Sequence, residues 1–121
     1  MNPNLSRSLL AIIVFGLFLP DFAVARSLDE DTALNLLLRT LKRDNVYVKR
    51  ISLDCVTFET EETAKEYFQF VLRENHTEKC GGDPDVSPVV DRYRVHRGSR
   101  KIELYDAAKD SWGPYDPAKA R

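Results

Sequence analysis

At Asn45 the apolar residues of this chain change their spacing, and the change decides what kind of fold it can adopt. Before that point Leu34, Leu37, Leu38 and Leu41 recur at i, i+3, i+4 and i+7, which places them on one face of a helix. Beyond it apolar and polar residues alternate, the period of strands that bury one face. Ser27-Leu28-Asp29-Glu30 matches an S-x-x-E capping box, in which hydroxyl and carboxylate each satisfy an orphan amide, so a helix is predicted to begin there. Asp29, Glu30 and Asp31 fill its first turn and Arg39, Lys42 and Arg43 its last, the polarity that the helix dipole favours. Asn45 suits a left-handed cap.

Residues 46–48 read as an edge strand or a lead-in to one. Residues 55–60 alternate, with Val56 and Phe58 on one face and Thr57 and Glu59 on the other; 61–63 read as a turn between two hairpin strands, with a helical turn over 61–67 as the alternative. Residues 67–73 alternate again and put Phe68, Phe70 and Leu72 on the buried face, with Gln69 and Arg73 outside. The stretch 80–88 holds four Gly or Pro residues in nine and is read as an ordered loop. Gly98-Ser99 reads as the two-residue turn of a last hairpin, pairing Tyr93 with Leu104, Val95 with Ile102, Arg94 with Glu103 and His96 with Lys101. The tail carries Trp112 as an anchor and then Tyr115, and frays from Asp116. The expected fold class is α+β: one N-terminal amphipathic helix packed on an antiparallel sheet of about four strands.

Residues 1–25 read as a secretory signal peptide. Arg7 precedes an unbroken apolar run at 9–19, Pro20 ends it, and Ala23 and Ala25 stand at the −3 and −1 positions of a cleavage site. The run is 11 residues long, against about 20 for a helix that crosses a bilayer, so no membrane span is expected. Cleavage leaves 96 residues, enough for one domain, 26–121, released to the periplasm or the medium. Arg7 and Asp21 leave together, so the net charge stays at −1, which argues against nucleic acid as a partner. In an oxidising compartment Cys55 and Cys80 pair; the bridge closes 24 residues. The chain-entropy argument gives such a loop about 3 kcal/mol.

Arg73-Glu74-Asn75-His76, then Cys80-Gly81-Gly82-Asp83-Pro84, then Asp91-Arg92-Tyr93-Arg94-Val95 and Ile102-Glu103-Leu104-Tyr105-Asp106 follow the leader and the amphipathic helix. That order resembles small exported bacterial proteins of unassigned function, and the resemblance covers most of the mature chain without implying a mechanism. The closing strand, tight turn and strand ending in Tyr-Asp is similar to the PepSY-type modules found outside bacterial cells, over the last hairpin alone.

Six residues are candidates for binding: Arg73, His76, Asp83, Arg92, Arg94 and Lys101. Arg92, Arg94, His96 and Lys101 share the outward face of the last hairpin, with Arg73 across the sheet. Such cations suit a phosphate, a carboxylate or an acidic partner surface, although a solvated sheet face has the same composition. Tyr67, Tyr105, Trp112 and Tyr115 add the aromatics favoured at protein interfaces. His76 precedes Cys80 by four residues, the spacing of a Cys–His couple or metal pair, but a disulfide removes the thiol and leaves a strand-end histidine bonded to the loop. Asp83, Asp85 and Ser87 alternate faintly like a calcium loop, yet Pro88 and the missing downstream Glu favour turn chemistry. Asn75-His76-Thr77 is a glycosylation sequon. No cofactor or metal is called for. The expected function is a small exported non-enzymatic binding module, its sheet face and disulfide-pinned loop contacting a protein or an anionic envelope component. The alternatives are an inhibitor of a secreted hydrolase, and a small hydrolase using His76 with Glu74 or Asp83.

Overall fold

The computed structural model of the protein describes residues 26–120, with Gly16 alone before them. The expected signal peptide and its cleavage site otherwise lie outside the described residues, as does Arg121.

Helix α1 (Glu30–Arg43) is capped by Asp29, whose Oδ1 accepts from the Thr32 amide at 2.8 Å, two residues later than the S-x-x-E spacing predicts. Ser27 does not serve as the cap because Leu28 is drawn into the core, 5 % exposed, its amide donating to the Arg97 carbonyl at 2.8 Å. Leu28 and Ala33 then occupy the two positions of a hydrophobic staple, both in the core cluster. At the other end Asn45 is left-handed (φ 51). The Val46 amide reaches the Leu41 carbonyl at 3.0 Å and that of Asn45 reaches Lys42 at 3.2 Å, the paired bonds of a Schellman motif. The buried face is Ala33, Leu37, Thr40 and Leu41; Leu38 falls outside the core cluster.

Residues 46–48 are not a strand. They belong to a turn in which Tyr47 (φ 71) is left-handed and points into the core, 7 % exposed. A short 3-10 turn, Leu53–Cys55, then leads into the sheet.

The sheet is an antiparallel meander of five strands: β1 (Val56–Thr63), β2 (Tyr67–Glu74), β3 (Val89–His96), β4 (Ile102–Asp106) and β5 (Ser111–Pro114). The fold is therefore α+β as read, with one strand more than expected. That strand comes from the tail: Trp112 pairs with Tyr105, and Gly113 and Pro114 are tolerated because β5 lies at the sheet edge. Nor does the chain fray at Asp116, since the Lys119 amide closes a turn onto Asp116 at 3.0 Å and Ala120 packs on the core. Glu61-Glu62-Thr63 is not a turn but the end of β1, where a bulge between Thr60 and Glu62 absorbs the break in alternation. The last hairpin has the predicted register, Tyr93 opposite Leu104 and Val95 opposite Ile102. Its loop is wider than two residues: Arg100 donates its amide to His96 at 3.0 Å and carries the left-handed conformation (φ 62).

Phe70, Leu72, Tyr93 and Val95 on the inner face are fully buried with Leu37 and Leu41 of α1. The disulfide Cys55–Cys80, with Cα atoms 5.7 Å apart, ties the start of β1 to the loop after β2. Among the described residues no helix is long and apolar enough to cross a membrane.

Candidate functional site

The helix covers one face of the sheet, so every second residue of the strands stands on the other. At its centre the Arg94 guanidinium is held between two rings, 4.3 Å from the centroid of Tyr67 and 4.0 Å from that of Trp112. Its Nε donates to Gln69 Oε1 at 2.9 Å, and Tyr105 leans on Trp112 with centroids 5.2 Å apart. The β1 bulge turns Glu61 onto this face. There its Oε2 accepts from Gln69 Nε2 at 2.8 Å and from Arg92 Nε at 2.9 Å. The bond from Arg92 holds the Glu61 carboxyl below its ordinary pKa, so it is ionised at neutral pH. All of these side chains except Tyr67, together with Glu62, line an open hollow of ≈ 440 Å³.

The basic patch read from the sequence is thus largely neutralised within the sheet. Arg92 is taken by Glu61, and His96 Nε2 lies 2.7 Å from Glu103. Arg73 lies 3.8 Å from Glu59 and donates to the Ser87 carbonyl at 3.2 Å. An anion arriving here would compete with carboxylates already in place. What remains is a half-buried surface of Tyr, Trp and Arg with its rotamers set in advance.

The structure brings Arg73, Arg92 and Arg94 together on this face and places the other three elsewhere. His76 and Asp83 belong to the loop at the end of the sheet where Glu74 pairs with Val56. Lys101 stands at the opposite end, where His96 pairs with Tyr67. The His76 ring spans Glu74 Oε2 (2.7 Å from Nε2) and the Asp83 backbone carbonyl (2.6 Å from Nδ1). Because a carbonyl only accepts, Nδ1 carries a proton, and Nε2 facing a carboxylate favours a second; the Glu74 bond raises the His76 pKa. Both ring nitrogens are therefore engaged, which leaves none to act as a general base. Asp83 Oδ1 caps the Asp85 amide at 2.9 Å, as turn chemistry requires. Among the described residues no group of three or more His, Cys, Asp and Glu side chains is arranged to hold a metal.

Sequence reading gave no role to Glu61, treated as part of a turn, or to Asp91. Asp91 is 6 % exposed on the core face and accepts from the Tyr47 hydroxyl at 2.6 Å; that hydroxyl is also 2.5 Å from the Tyr93 hydroxyl. Burial raises the pKa of both tyrosines, so they stay protonated. The signal was the strand period itself, which puts residue 91 on the same side as Tyr93 and Val95. No protein-family model matches the chain, and no curated protein or solved structure does so either.

Proposed function

We propose that this chain is a small exported, non-enzymatic binding module that receives a protein partner on the uncovered face of its sheet. The observation that carries the reading is the Arg94 guanidinium clasped between Tyr67 and Trp112 and tied to Gln69. Tyr, Trp and Arg dominate the energetics of protein interfaces, and here their rotamers are already fixed, so a partner meets little ordering cost. Internal pairing of Arg73, Arg92 and His96 favours a protein partner over a purely anionic envelope component on this face. The disulfide, the small size and the absence of a spanning helix among the described residues accord with export. Engagement of both His76 nitrogens gives the hydrolase alternative no support.

An inhibitor of a secreted hydrolase is the second reading, favoured by one observation. Residues 81–89 are exposed throughout, yet the loop is fastened by the disulfide, the His76 ring and the Ser87 hydroxyl, which donates to the Glu74 carbonyl at 2.8 Å.

Affinity capture from an envelope extract, comparing the native chain with Arg94→Ala and Trp112→Ala, tests the first reading. Loss of the same captured protein from both variants, with Val86→Asp in the loop unaffected, is expected. Capture that survives both face variants but fails with Val86→Asp moves the site to the loop.

A further inference from the structure

Away from the sheet face, the turn between α1 and β1 exposes an aliphatic tip among cations. Lys42 to Arg50 carries four basic residues against one acid, Asp44. Arg43 lies 2.8 Å from that acid, and Tyr115 donates to it at 2.9 Å. Arg50 lies 3.4 Å from Glu74, while Lys42 and Lys49 are exposed and form no ion pair among the described residues. At the tip Val48 is 72 % exposed, far beyond the other large apolar side chains. Turns ordinarily carry Gly, Asn, Asp or Ser at such positions.

The conformation that exposes it is a costly one. Asn45 (φ 51) and Tyr47 (φ 71) are both left-handed, and for a bulky aromatic this region is a genuine outlier. The Tyr47 hydroxyl, bonded to Asp91, holds the strained residue inward, and its neighbour Val48 faces out. Beside the tip lies an open hollow of ≈ 430 Å³ walled by Leu41, Val46, Ile51 and Leu53.

We propose that this turn docks the domain on an anionic lipid surface, with Val48 entering the interfacial layer and Lys42, Lys49 and Arg50 meeting the headgroups. Charge complementarity selects the occupant: two uncompensated lysines, Lys42 and Lys49, with Arg50 only loosely held by Glu74 at 3.4 Å, flank an aliphatic tip, the composition of an interfacial anchor. A fluid headgroup layer also moulds around long exposed lysines, whereas a protein groove would have to order each of them. The surface is separate from the sheet face, so lipid docking leaves Trp112 and Arg94 accessible to a protein.

Co-sedimentation of the full chain with lipid vesicles tests this. Binding is expected on phosphatidylcholine vesicles containing about one third phosphatidylglycerol, weak on phosphatidylcholine alone, and reduced by added salt. Lys49→Gln is expected to weaken it about fivefold, Lys49→Arg to leave it unchanged and Val48→Asp to abolish it. Val48→Ser, which keeps the turn's backbone, serves if Val48→Asp loses the near-ultraviolet signal of the buried tyrosines. Equal binding to both vesicle types overturns the proposal. So does binding indifferent to all substitutions at 48 and 49, which would place the contact in the apolar run at 9–19. Binding to polyglutamate but not to vesicles, lost in Lys49→Gln, also overturns it and points to an acidic protein instead.

Discussion

The imidazole of His76 lies so close to Gly82 that a Cβ placed there would come within 2.8 Å of the ring. Gly82 also has φ +88, where side chains are strained, so two independent costs meet at one residue. Gly82→Ala is expected to lower stability by about 2 kcal/mol or more. Gly81→Ala, at φ +73 but facing open space, should lose only about 1 kcal/mol. Gly98→Ala, in the last hairpin without a left-handed φ, should fall within about 0.5 kcal/mol of the native chain. Thermal unfolding of the three variants checks the order, and equal losses at Gly81 and Gly82 would mean that the ring does not pack beneath the loop.

The same histidine makes stability depend on pH. Its folded-state pKa is raised, chiefly by the bond to Glu74, so the folded chain binds the proton more tightly than the unfolded one. The stabilisation is complete below the ordinary histidine value of about 6.5 and is lost as pH rises through the raised folded value. The melting temperature is expected to fall over that interval in the native chain and to change less in His76→Gln. A rise in the native chain alone would refute the assignment.

Replacing Cys55 and Cys80 together by Ala should lower stability by about 2 to 4 kcal/mol while keeping the fold, because His76 and Ser87 still hold the loop. Circular dichroism with denaturant titration measures both. Protein recovered from the exported fraction should begin at Arg26 and have an intact mass about 2 Da below that of the dithiol. Two free thiols in that material would sink the bridge and the compartment together.

The two faces of β3 should respond oppositely to truncation. Arg92→Ala removes a half-exposed ion pair and should cost under about 1 kcal/mol. Arg94→Ala removes two ring contacts and should cost about 1 to 2 kcal/mol. Tyr93→Ala opens the core and should cost about 3 to 5 kcal/mol. Tyr47→Phe takes one donor from buried Asp91 and should cost about 1 to 3 kcal/mol. Denaturant midpoints rank the four; a silent Tyr93→Ala beside an unfolded Arg94→Ala would put the register off by one residue.

The amino-acid sequence by itself determined the class of the fold and the inward side of its best strands. Leucine spacing set the helix, alternation put Phe68, Phe70 and Leu72 inside, and apolar pairing set Val95 opposite Ile102. The cysteine pair followed from compartment and count. Each of these depends on spacing along the chain, or on one short hairpin, and spacing is what a sequence records. The tertiary structure alone decided the rest. Asp29 replaced Ser27 as the cap because Leu28 pairs with Arg97, a contact across 69 residues. Glu61 took up Arg92 across 31 residues, and Tyr47 reached Asp91 across 44, only once strand pairing and a bulge had set them side by side. Whether a cation is available to a ligand depends on which carboxylate the fold brings within about 3 Å of it, a short-range Coulomb and hydrogen-bonding question that no periodicity encodes.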